Sequence, residues 1–395
     1  MSMTEQYFMY HTIHELVKNE QYELIHMNPK LNEVWILKQN RNKSTVIRFS
    51  QTEFDWKNQL KADIASVLQR VKMVGKSFRG KKIDIMNVYV TRHEPIDQWQ
   101  SLKQPLVWKD KKEVSMKVYY ISEENKVDEK KRFLTDLPEE LTLATNEINE
   151  VELSDKIKRY KIILQAEIYK KNQARKEIFT YGKPYFTFLF LLLNSLVFLL
   201  LEANGGSMHI DTLIQFGAIE NNAILDGEWW RIITSAFLHI GALHFFMNML
   251  ALYYLGMFVE RIYGSHRFFI IYFFAVISGG LTSFALHTNV AAGASGALFG
   301  LFGAILYFGL IYRQIFKQTI GRNVILILLI NLFIGILIPQ IDMGAHLGGL
   351  IGGFLAAAIV ALPNKPILKA QLGAFVTYAL FICLIATYGY GWFIG

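Results

Sequence analysis

The sequence predicts an all-α polytopic membrane domain preceded by a soluble α/β domain. Hydrophobic residues make up 52% of the 395-residue chain, but most of the charge precedes Tyr181. After that residue come apolar stretches rich in Phe, Leu, Ile and Gly. Each stretch approaches the roughly 20 residues that a helix needs to cross about 30 Å of hydrocarbon. We therefore expect residues 1–178 to form the soluble domain with a basic helical linker, and residues 179–395 to form the membrane domain.

The soluble part mixes helical and strand-like patterns. Helical spacing of apolar residues is found in YFMYHTIHELV and in FDWKNQLKADIASVLQRV. Strand-like patterns are found in NEVWILKQ, STVIRFS, KKIDIMNVYVT and EVSMKVYYIS. Residues 150–178 read as a charged helix that leads into the membrane. These elements supply enough apolar material for a small α/β domain with its own core.

The soluble part carries no motif for catalysis or for a cofactor. It has no glycine-rich phosphate loop and no metal-ligand spacing, and we interpret His11, His14 and His26 as surface or capping residues. The single cysteine, Cys383, can form neither an intramolecular disulfide nor a thiol-ligated metal site. No cofactor and no metal are therefore predicted, and a regulatory or recruiting role is expected for this domain.

Seven apolar stretches are long enough to be membrane spans. They cover residues 185–202, 235–257, 268–287, 295–312, 323–339, 344–362 and 372–394. The N-terminal 20 residues lack the apolar core of a signal peptide, which favours a cytoplasmic N-terminus. With this orientation, the loops assigned to the exported side hold one basic residue, Arg231, and the cytoplasmic loops hold the others. We expect a multi-pass protein of the cell membrane whose C-terminus is extracellular.

The net charge of +8 indicates no nucleic-acid partner. Much of the positive charge follows the topology of the membrane domain, including a basic segment before the first span. The basic residues of the soluble part are interspersed with acidic ones.

Ionisable and amide groups inside spans are costly and usually functional. The candidates within or at the edges of spans are His239, His244, Asn248, Ser295, Asn331 and His346. Ser295 begins the fourth span and His346 begins the sixth, and both spans run from outside to inside. The two side chains are thus expected to meet in the outer part of the membrane. Small residues allow the necessary close approach of the two helices, and they are Gly296, Gly300, Gly303, Gly349 and Gly353.

A serine beside an imidazole suggests nucleophilic catalysis with His346 as base. His244 and Asn248 share one face of the second span and could donate hydrogen bonds to an oxyanion at a similar depth. Asp342 is the acidic residue nearest to His346, but it stands where a helix N-terminus favours a cap. We therefore predict a Ser-His dyad, with packing holding the imidazole in place.

These residues resemble the motifs of the rhomboid family of intramembrane serine proteases. GASG at 293–296 is similar to the family's G-x-S-G, with Ser295 as nucleophile between Gly293 and Gly296. AHLGGLIGG at 345–353 is similar to A-H-x-x-G-x-x-x-G, with His346 as general base. HFFMN resembles the family's H-x-x-x-N motif, which makes His244 and Asn248 oxyanion donors by resemblance.

The resemblance extends to one loop residue pair and departs at one position. Trp230 and Arg231 are similar to the Trp-Arg pair of the family's long first exported loop. Phe299 stands one helical turn after the nucleophile, where some bacterial members have tyrosine. Its ring is expected to stack on His346 without supplying a hydroxyl.

The resemblance implies a six-helix core with one extra C-terminal helix, as in bacterial members with a soluble N-terminal domain. It also implies an intramembrane serine endopeptidase that hydrolyses peptide bonds in or near transmembrane segments. Its partners would be transmembrane protein substrates and the lipid bilayer. A client binder without proteolytic activity and a polytopic transporter are the alternatives. The native substrates and the oligomeric state have no signal in the sequence.

Overall fold

The structure is a computed structural model that describes residues 3–18, 22–28, 32–75, 78–109, 112–137, 141 and 149–394. The chain divides into two compact units, Met1–Arg175 and Lys176–Gly395.

The N-terminal unit is a six-stranded mixed sheet between two helical layers. Its helices are α1 (Met3–Lys18), α2 (Lys57–Gly75), α3 (Lys126–Asp136) and α4 (Glu150–Phe179), the last of which continues past the unit's end. Its strands are β1 (Glu23–Asn28), β2 (Glu33–Gln39), β3 (Lys43–Ser50), β4 (Lys82–Val90), β5 (Leu106–Lys109) and β6 (Glu113–Ile121). The sheet order is β1-β2-β3-β4-β6-β5, in which β3, β4 and β6 are parallel and the other pairings are antiparallel.

Alternation along the strands builds a core on each face of the sheet. In β2, Val34 and Ile36 belong to the core beneath α1, α3 and α4, whereas Trp35 and Leu37 belong to the core beneath α2. The predicted fold class, a soluble α/β part followed by apolar helices, is confirmed. The sequence patterns missed β1, β5 and α3, and β5 is exposed along its whole length, so it has no buried face to produce an alternation.

A buried charge network lies between the sheet and α2. Arg48 of β3 donates through Nε to Glu33 Oε1 at 2.5 Å and through Nη1 to Asp63 Oδ2 at 2.8 Å. Burial would raise the pKa of Glu33, but the hydrogen bond and positive charge of Arg48 outweigh it and lower that pKa below its ordinary value. Glu33 thus stabilises the unit above the ordinary glutamate pKa, near 4.3, and this contribution is lost as the pH falls through the lower pKa of the folded state.

We expect Arg48→Met to lower the free energy of unfolding of the N-terminal unit by about 3–5 kcal/mol, because Glu33 would be left buried with only the more distant and exposed Arg70 guanidinium, at 3.6 Å, as its cation. Hydrogen–deuterium exchange of β3 and β4 in the full chain measures this change. The double variant Arg48→Met/Glu33→Gln removes both charges and should recover a large part of the loss. Equal protection of β3 in wild type and Arg48→Met would contradict this account.

The second unit consists mainly of apolar helices. Its first span, α5 (Tyr185–Ala203), is followed by three short helices, α6 (Ile210–Gln215), α7 (Asn221–Leu225) and α8 (Arg231–Thr234). The second span joins α9 (Ala242–Ala251) to α10 (Met257–Tyr263) through a π-helical turn, Leu252–Gly256. The remaining helices are α11 (Ser265–Leu286), α12 (Ser295–Ile311), α13 (Arg313–Gln318), α14 (Gly321–Leu337), α15 (Met343–Val360) and α16 (Leu368–Ile394).

Within the described residues, five helices are long and apolar enough to cross a membrane, and α12 and α14 are shorter apolar helices. The chain is a multi-pass membrane protein. The predicted start of the second span at residue 235 was wrong, since its helix begins at Ala242. Gly241 precedes it with φ +77°, a left-handed conformation that no helix continues through. The sequence stays apolar across this position, so hydropathy does not mark the start of the helix.

The helices of this unit pack around α11, the most buried of the long spans. α12 and α15 both lie against α11 and against each other, and α16 packs on α11 and α15. At the start of α5, the buried Glu260 carboxylate of α10 accepts hydrogen bonds from the Phe186 and Thr187 amides at 2.9 and 2.8 Å. This carboxylate holds the N-terminus of the first span.

Candidate active site

Ser295 is the first residue of α12, and the segment before it is fixed from two sides. Ile219 and Ala291 form an antiparallel bridge, and the Gly293 amide donates to Ser235 O at 2.9 Å. Gly293 has φ +148°, and a Cβ there would lie 2.7 Å from Cε1 of His244. Glycine is therefore needed at 293 both for its backbone conformation and for the close approach of the His244 ring.

The position of Ser295 gives its backbone an electrostatic role. The first amides of an α-helix have no partner within the helix, and the positive end of the helix dipole lies there. The Ser295 side chain is half-buried and, within the described residues, makes no side-chain hydrogen bond. A hydroxyl at this position is thus beside amides that can stabilise negative charge.

His346 lies in the first turn of α15 and is buried. The ring of Phe299 stacks on it, with centroids 4.1 Å apart and an interplanar angle of 14°. Among the described residues, His346 Nδ1 has no hydrogen-bond partner. The imidazole is therefore held by packing against Phe299, which lies one helical turn after Ser295, and no hydrogen bond between His346 and the Ser295 hydroxyl is formed here. Nucleophile–base hydrogen bonds are often long before substrate binds.

Glycines bring α12 and α15 into backbone contact. A Cβ at Gly349 would overlap the carbonyl oxygen of Gly296, and a Cβ at Gly353 would overlap that of Gly300. A Cβ at Gly296 would lie 3.2 Å from the carbonyl oxygen of Ala345. This close packing brings the starts of the two helices together, as the spacing of small residues predicts.

We expect Gly349→Ala to destabilise the membrane unit by about 1–3 kcal/mol, because α15 must move away from the Gly296 carbonyl. The matched control is Gly373→Ala in α16, where a Cβ would meet nothing within 4 Å. Thermal unfolding of both variants in detergent measures the difference. Equal midpoints would contradict the backbone contact.

The His244 side chain of α9 contacts the segment that precedes Ser295. The His244 ring contacts Gly293, as described above, and is half-buried. Asn248, one helical turn further along α9, donates through Nδ2 to the His244 carbonyl at 2.9 Å. Its Oδ1 is buried without a partner, and its amide has a second hydrogen to donate. The two side chains, four residues apart, thus share one face of α9.

His239 also lies at this site, although the sequence analysis assigned it no role. It is fully buried, and its ring lies 5.4 Å from the His244 ring in an edge-on arrangement. Its Nε2 faces the Ala294 amide at 3.5 Å, immediately before Ser295. In the sequence, His239 stands five residues before His244. The amide that it faces, that of Ala294, lies 55 positions further along the chain.

Asp342 caps α15, as predicted. Its Oδ1 accepts from the Ala345 amide at 2.8 Å, and its Oδ2 accepts from the Ser283 hydroxyl of α11. Among the described hydrogen bonds, none joins Asp342 to the His346 side chain. The carboxylate therefore positions the start of α15.

Trp230 and Arg231 organise the loop that precedes the second span. The buried Arg231 guanidinium donates to Ile214 O at 2.7 Å and to Ala218 O at 3.0 Å, and it lies 4.9 Å from the centre of the Trp230 ring. Arg231 also pairs with Glu228 at 2.6 Å. Arg231 thus ties together loop carbonyls that precede the bridge at Ile219. Asn331, another sequence candidate, lies exposed on α14, where it bonds back to its own helix.

A cavity of about 40 Å³ adjoins Ser295 on the side of α11. Its polar lining includes Ser235, Ser283 and Asp342. This volume is enough for water, which needs about 10–15 Å³ and several polar partners. The cavity thus has room for a water molecule beside Ser295.

The arrangement combines a serine at a helix N-terminus, a packed imidazole, a second histidine beside the serine and a polar cavity. Such a set can perform nucleophilic attack, proton transfer and oxyanion stabilisation. Within the described residues, no group of three or more His, Cys, Asp or Glu side chains could hold a metal ion.

Comparison with known proteins gives a family match for the same region. Residues 226–363 match the model of the Rhomboid domain. The chain is 36% identical over 333 residues to Rhomboid protease GluP of Bacillus subtilis (strain 168), an alignment that covers 84% of this chain and 65% of GluP. The chain thus spans less than two thirds of the length of GluP.

Two further relatives align with smaller parts of this chain. YdcA of the same organism, a protein assigned as a rhomboid protease, is 33% identical over 175 residues, which cover 44% of this chain and 86% of YdcA. RHOMBOID-like protein 5 of Arabidopsis thaliana is 38% identical over 158 residues, which cover 39% of this chain and 51% of that protein.

Proposed function

The chain belongs to the rhomboid family, and we propose that it is an intramembrane serine endopeptidase that uses Ser295 and His346 as a dyad. Its substrates would be membrane proteins cleaved in or near a transmembrane segment. The single observation that best supports this proposal is the close packing of α12 on α15, in which glycines bring the two backbones into contact and Phe299 of α12 stacks on His346 of α15.

The chemistry begins with the Ser295 hydroxyl. His346 takes its proton while the serine oxygen attacks the carbonyl carbon of the scissile peptide. The carbonyl oxygen becomes an oxyanion, to which the Ser295 amide, His244 and Asn248 donate hydrogen bonds.

His346 then gives the proton to the leaving amine, and the C–N bond breaks to leave an acyl-enzyme on Ser295. Water from the adjoining cavity attacks the ester, with His346 as base again. The proton returns to the serine oxygen, so the cycle consumes one water and releases two peptides.

The mechanism suggests roles for the neighbouring side chains. Phe299 orients the imidazole by stacking, and Asp342 fixes the start of α15 without a hydrogen bond to the imidazole. Gly293 and Gly296 leave room for the substrate backbone and for α15. Trp230 and Arg231 support the loop beside the site.

We further propose that the N-terminus is cytoplasmic and that the C-terminus and the opening of the site face the outside, as the distribution of basic loop residues favours. Residues 1–178 would then form a cytoplasmic domain on the opposite side of the membrane from the dyad. Such a domain could control substrate choice without taking part in catalysis.

Cleavage of a single-span membrane protein tests the proposal. The purified full chain in detergent should cleave a substrate that has a helix-destabilising site of small residues. The Ser295→Ala variant, which keeps the fold but lacks the hydroxyl, should not. Equal cleavage by wild type and Ser295→Ala across a panel of such substrates would assign the activity to another protein.

A further inference from the structure

The N-terminal unit has one end of its sheet that is strongly basic. This end is formed by the starts of β3, β4 and β6, together with the C-terminus of α2 and the end of β5. Backbone hydrogen bonds connect its loops, since the Lys81 amide donates to Asn42 O at 3.2 Å and the Glu113 amide donates to Lys81 O at 3.0 Å. The described basic residues here are Arg41, Lys43, Lys72, Arg79, Lys81, Lys82, Lys109 and Lys112.

Few described acidic residues balance this charge. Asp84 pairs with Lys43, and Glu113 pairs with Lys82 at 3.4 Å. The opposite end of the parallel strands has more acidic than basic described residues. Its acidic residues are Glu53, Asp55, Glu94, Asp97, Glu123, Glu124 and Asp128, and its basic residues are Lys57, Arg92 and Lys126. The unit is therefore electrically polarised along its strands.

The basic end also exposes large apolar side chains. Met73 at the end of α2 is 69% exposed, and Val107 and Trp108 of β5 are 58% and 51% exposed. The Lys72 ammonium lies 3.4 Å from the centre of the Trp108 ring, which joins the α2 and β5 parts of this surface. We call the described basic residues of this end, together with Met73, Val107 and Trp108, the basic apolar end.

The chain also leaves this unit at the same end of the sheet. Lys171 of α4 donates to the carbonyl of Leu24 at the start of β1, at 2.9 Å. The start of β1 pairs with the end of β2, which in turn pairs with the start of β3. The first membrane span begins at Tyr185, a short distance further along the sequence.

We propose that the basic apolar end binds the surface of an anionic lipid bilayer. Clustered Lys and Arg side chains are attracted to anionic lipid by about 1 kcal/mol each, and tryptophan favours the interface between water and hydrocarbon. The acidic end would be repelled by the same surface, so the polarity of the unit sets its orientation. Because the chain already has membrane spans, a weak additional attraction is enough to hold the unit at the bilayer.

A protein strand added to β5 is the other occupant that this edge could take. β5 has four residues and ends at Lys109, and short strands with edge lysines are a common device against such pairing. The charge and exposure of this end therefore favour lipid over a protein partner.

The test uses the full chain with its single cysteine replaced, Cys383→Ser, and a spin label at Val107→Cys. The control label is at Val127→Cys, which is 73% exposed at the start of α3 near the acidic end. The protein is placed in nanodiscs of phosphatidylcholine, with or without phosphatidylglycerol. Oxygen, which concentrates in lipid, and a water-soluble nickel chelate report the surroundings of each label.

We expect the label at 107 to become accessible to oxygen and protected from nickel only with phosphatidylglycerol, and high salt to reverse this change. The label at 127 should stay accessible to nickel in both lipids. Lys81→Ala/Lys109→Ala should lower the ratio of bound to unbound unit by about 30-fold. Lys126→Ala/Lys131→Ala also removes two positive charges, but from α3, and should leave the ratio of bound to unbound unit unchanged.

Identical accessibility of the label at 107 in both lipids would overturn the proposal. Protection from both reagents in either lipid would also overturn it, because a protein, such as a second copy of this chain, would then cover the surface. The lipid and salt dependence of the wild-type surface decides the question even if the lysine variants fold poorly, and neither measurement depends on proteolysis.

Discussion

His346→Ala is expected to lower kcat for cleavage of a single-span substrate on the order of 10⁶-fold, which is the same loss as that expected for Ser295→Ala. A serine hydroxyl is a poor nucleophile unless a base takes its proton, and His346 is the imidazole that packing places at the start of the adjacent helix. Because nucleophile and base act as one unit, Ser295→Ala/His346→Ala should be no slower than either single variant. Single-turnover cleavage in detergent measures all three rates.

The matched control is Asp342→Asn, which keeps a capping oxygen for the Ala345 amide but removes the charge. Its kcat should stay within a few-fold of wild type, because packing, and not a carboxylate, holds the imidazole. Loss of an orienting carboxylate in a triad would instead lower the rate by about 10⁴. A defect of that size in folded Asp342→Asn would replace the dyad with a triad.

His244→Ala is expected to lower kcat by about 10²–10³-fold and to leave KM nearly unchanged. Its ring contacts Gly293, two residues before Ser295, so a donor there acts on charge that develops only in the transition state. Asn248→Ala should lower kcat by roughly 10-fold to 10³-fold for the same reason. Steady-state kinetics with a peptide reporter separate the effects on kcat and KM.

Asn331→Ala is the matched control for Asn248→Ala. Both asparagines donate through Nδ2 to the carbonyl one turn earlier in an apolar helix, at 2.9 Å for Asn248 and 2.8 Å for Asn331. Only Asn248 lies on the helix that carries His244, so the Asn331 variant should keep full activity. Equal losses of kcat in the two variants would mean that Asn248 only supports its helix and donates no hydrogen bond to the oxyanion.

The sequence predicted those features of the site that depend on topology and on residue size. Ser295 and His346 each begin a span that runs in the same direction, and glycines on both helices indicate a close approach. These relations follow from hydropathy and spacing along one chain.

Other features depend on contacts between distant segments, which hydropathy and spacing within one segment do not show. His239 faces an amide that lies 55 positions further along the chain, and Asp342 meets the Ser283 hydroxyl of another helix. The second span begins late because Gly241 turns the backbone, which hydropathy cannot detect. The edge strand β5 is exposed on both faces, so no alternation marked it.

Covalent labelling of Ser295 by a fluorophosphonate tests the dyad most directly, because it needs no substrate. Mass spectrometry of the labelled chain should place the phosphonyl group on Ser295 in wild type and in Asp342→Asn. In His346→Ala, folded to the same extent, labelling of Ser295 should be lost. Labelling of Ser295 at an unchanged rate in His346→Ala would remove His346 from the mechanism and contradict the account.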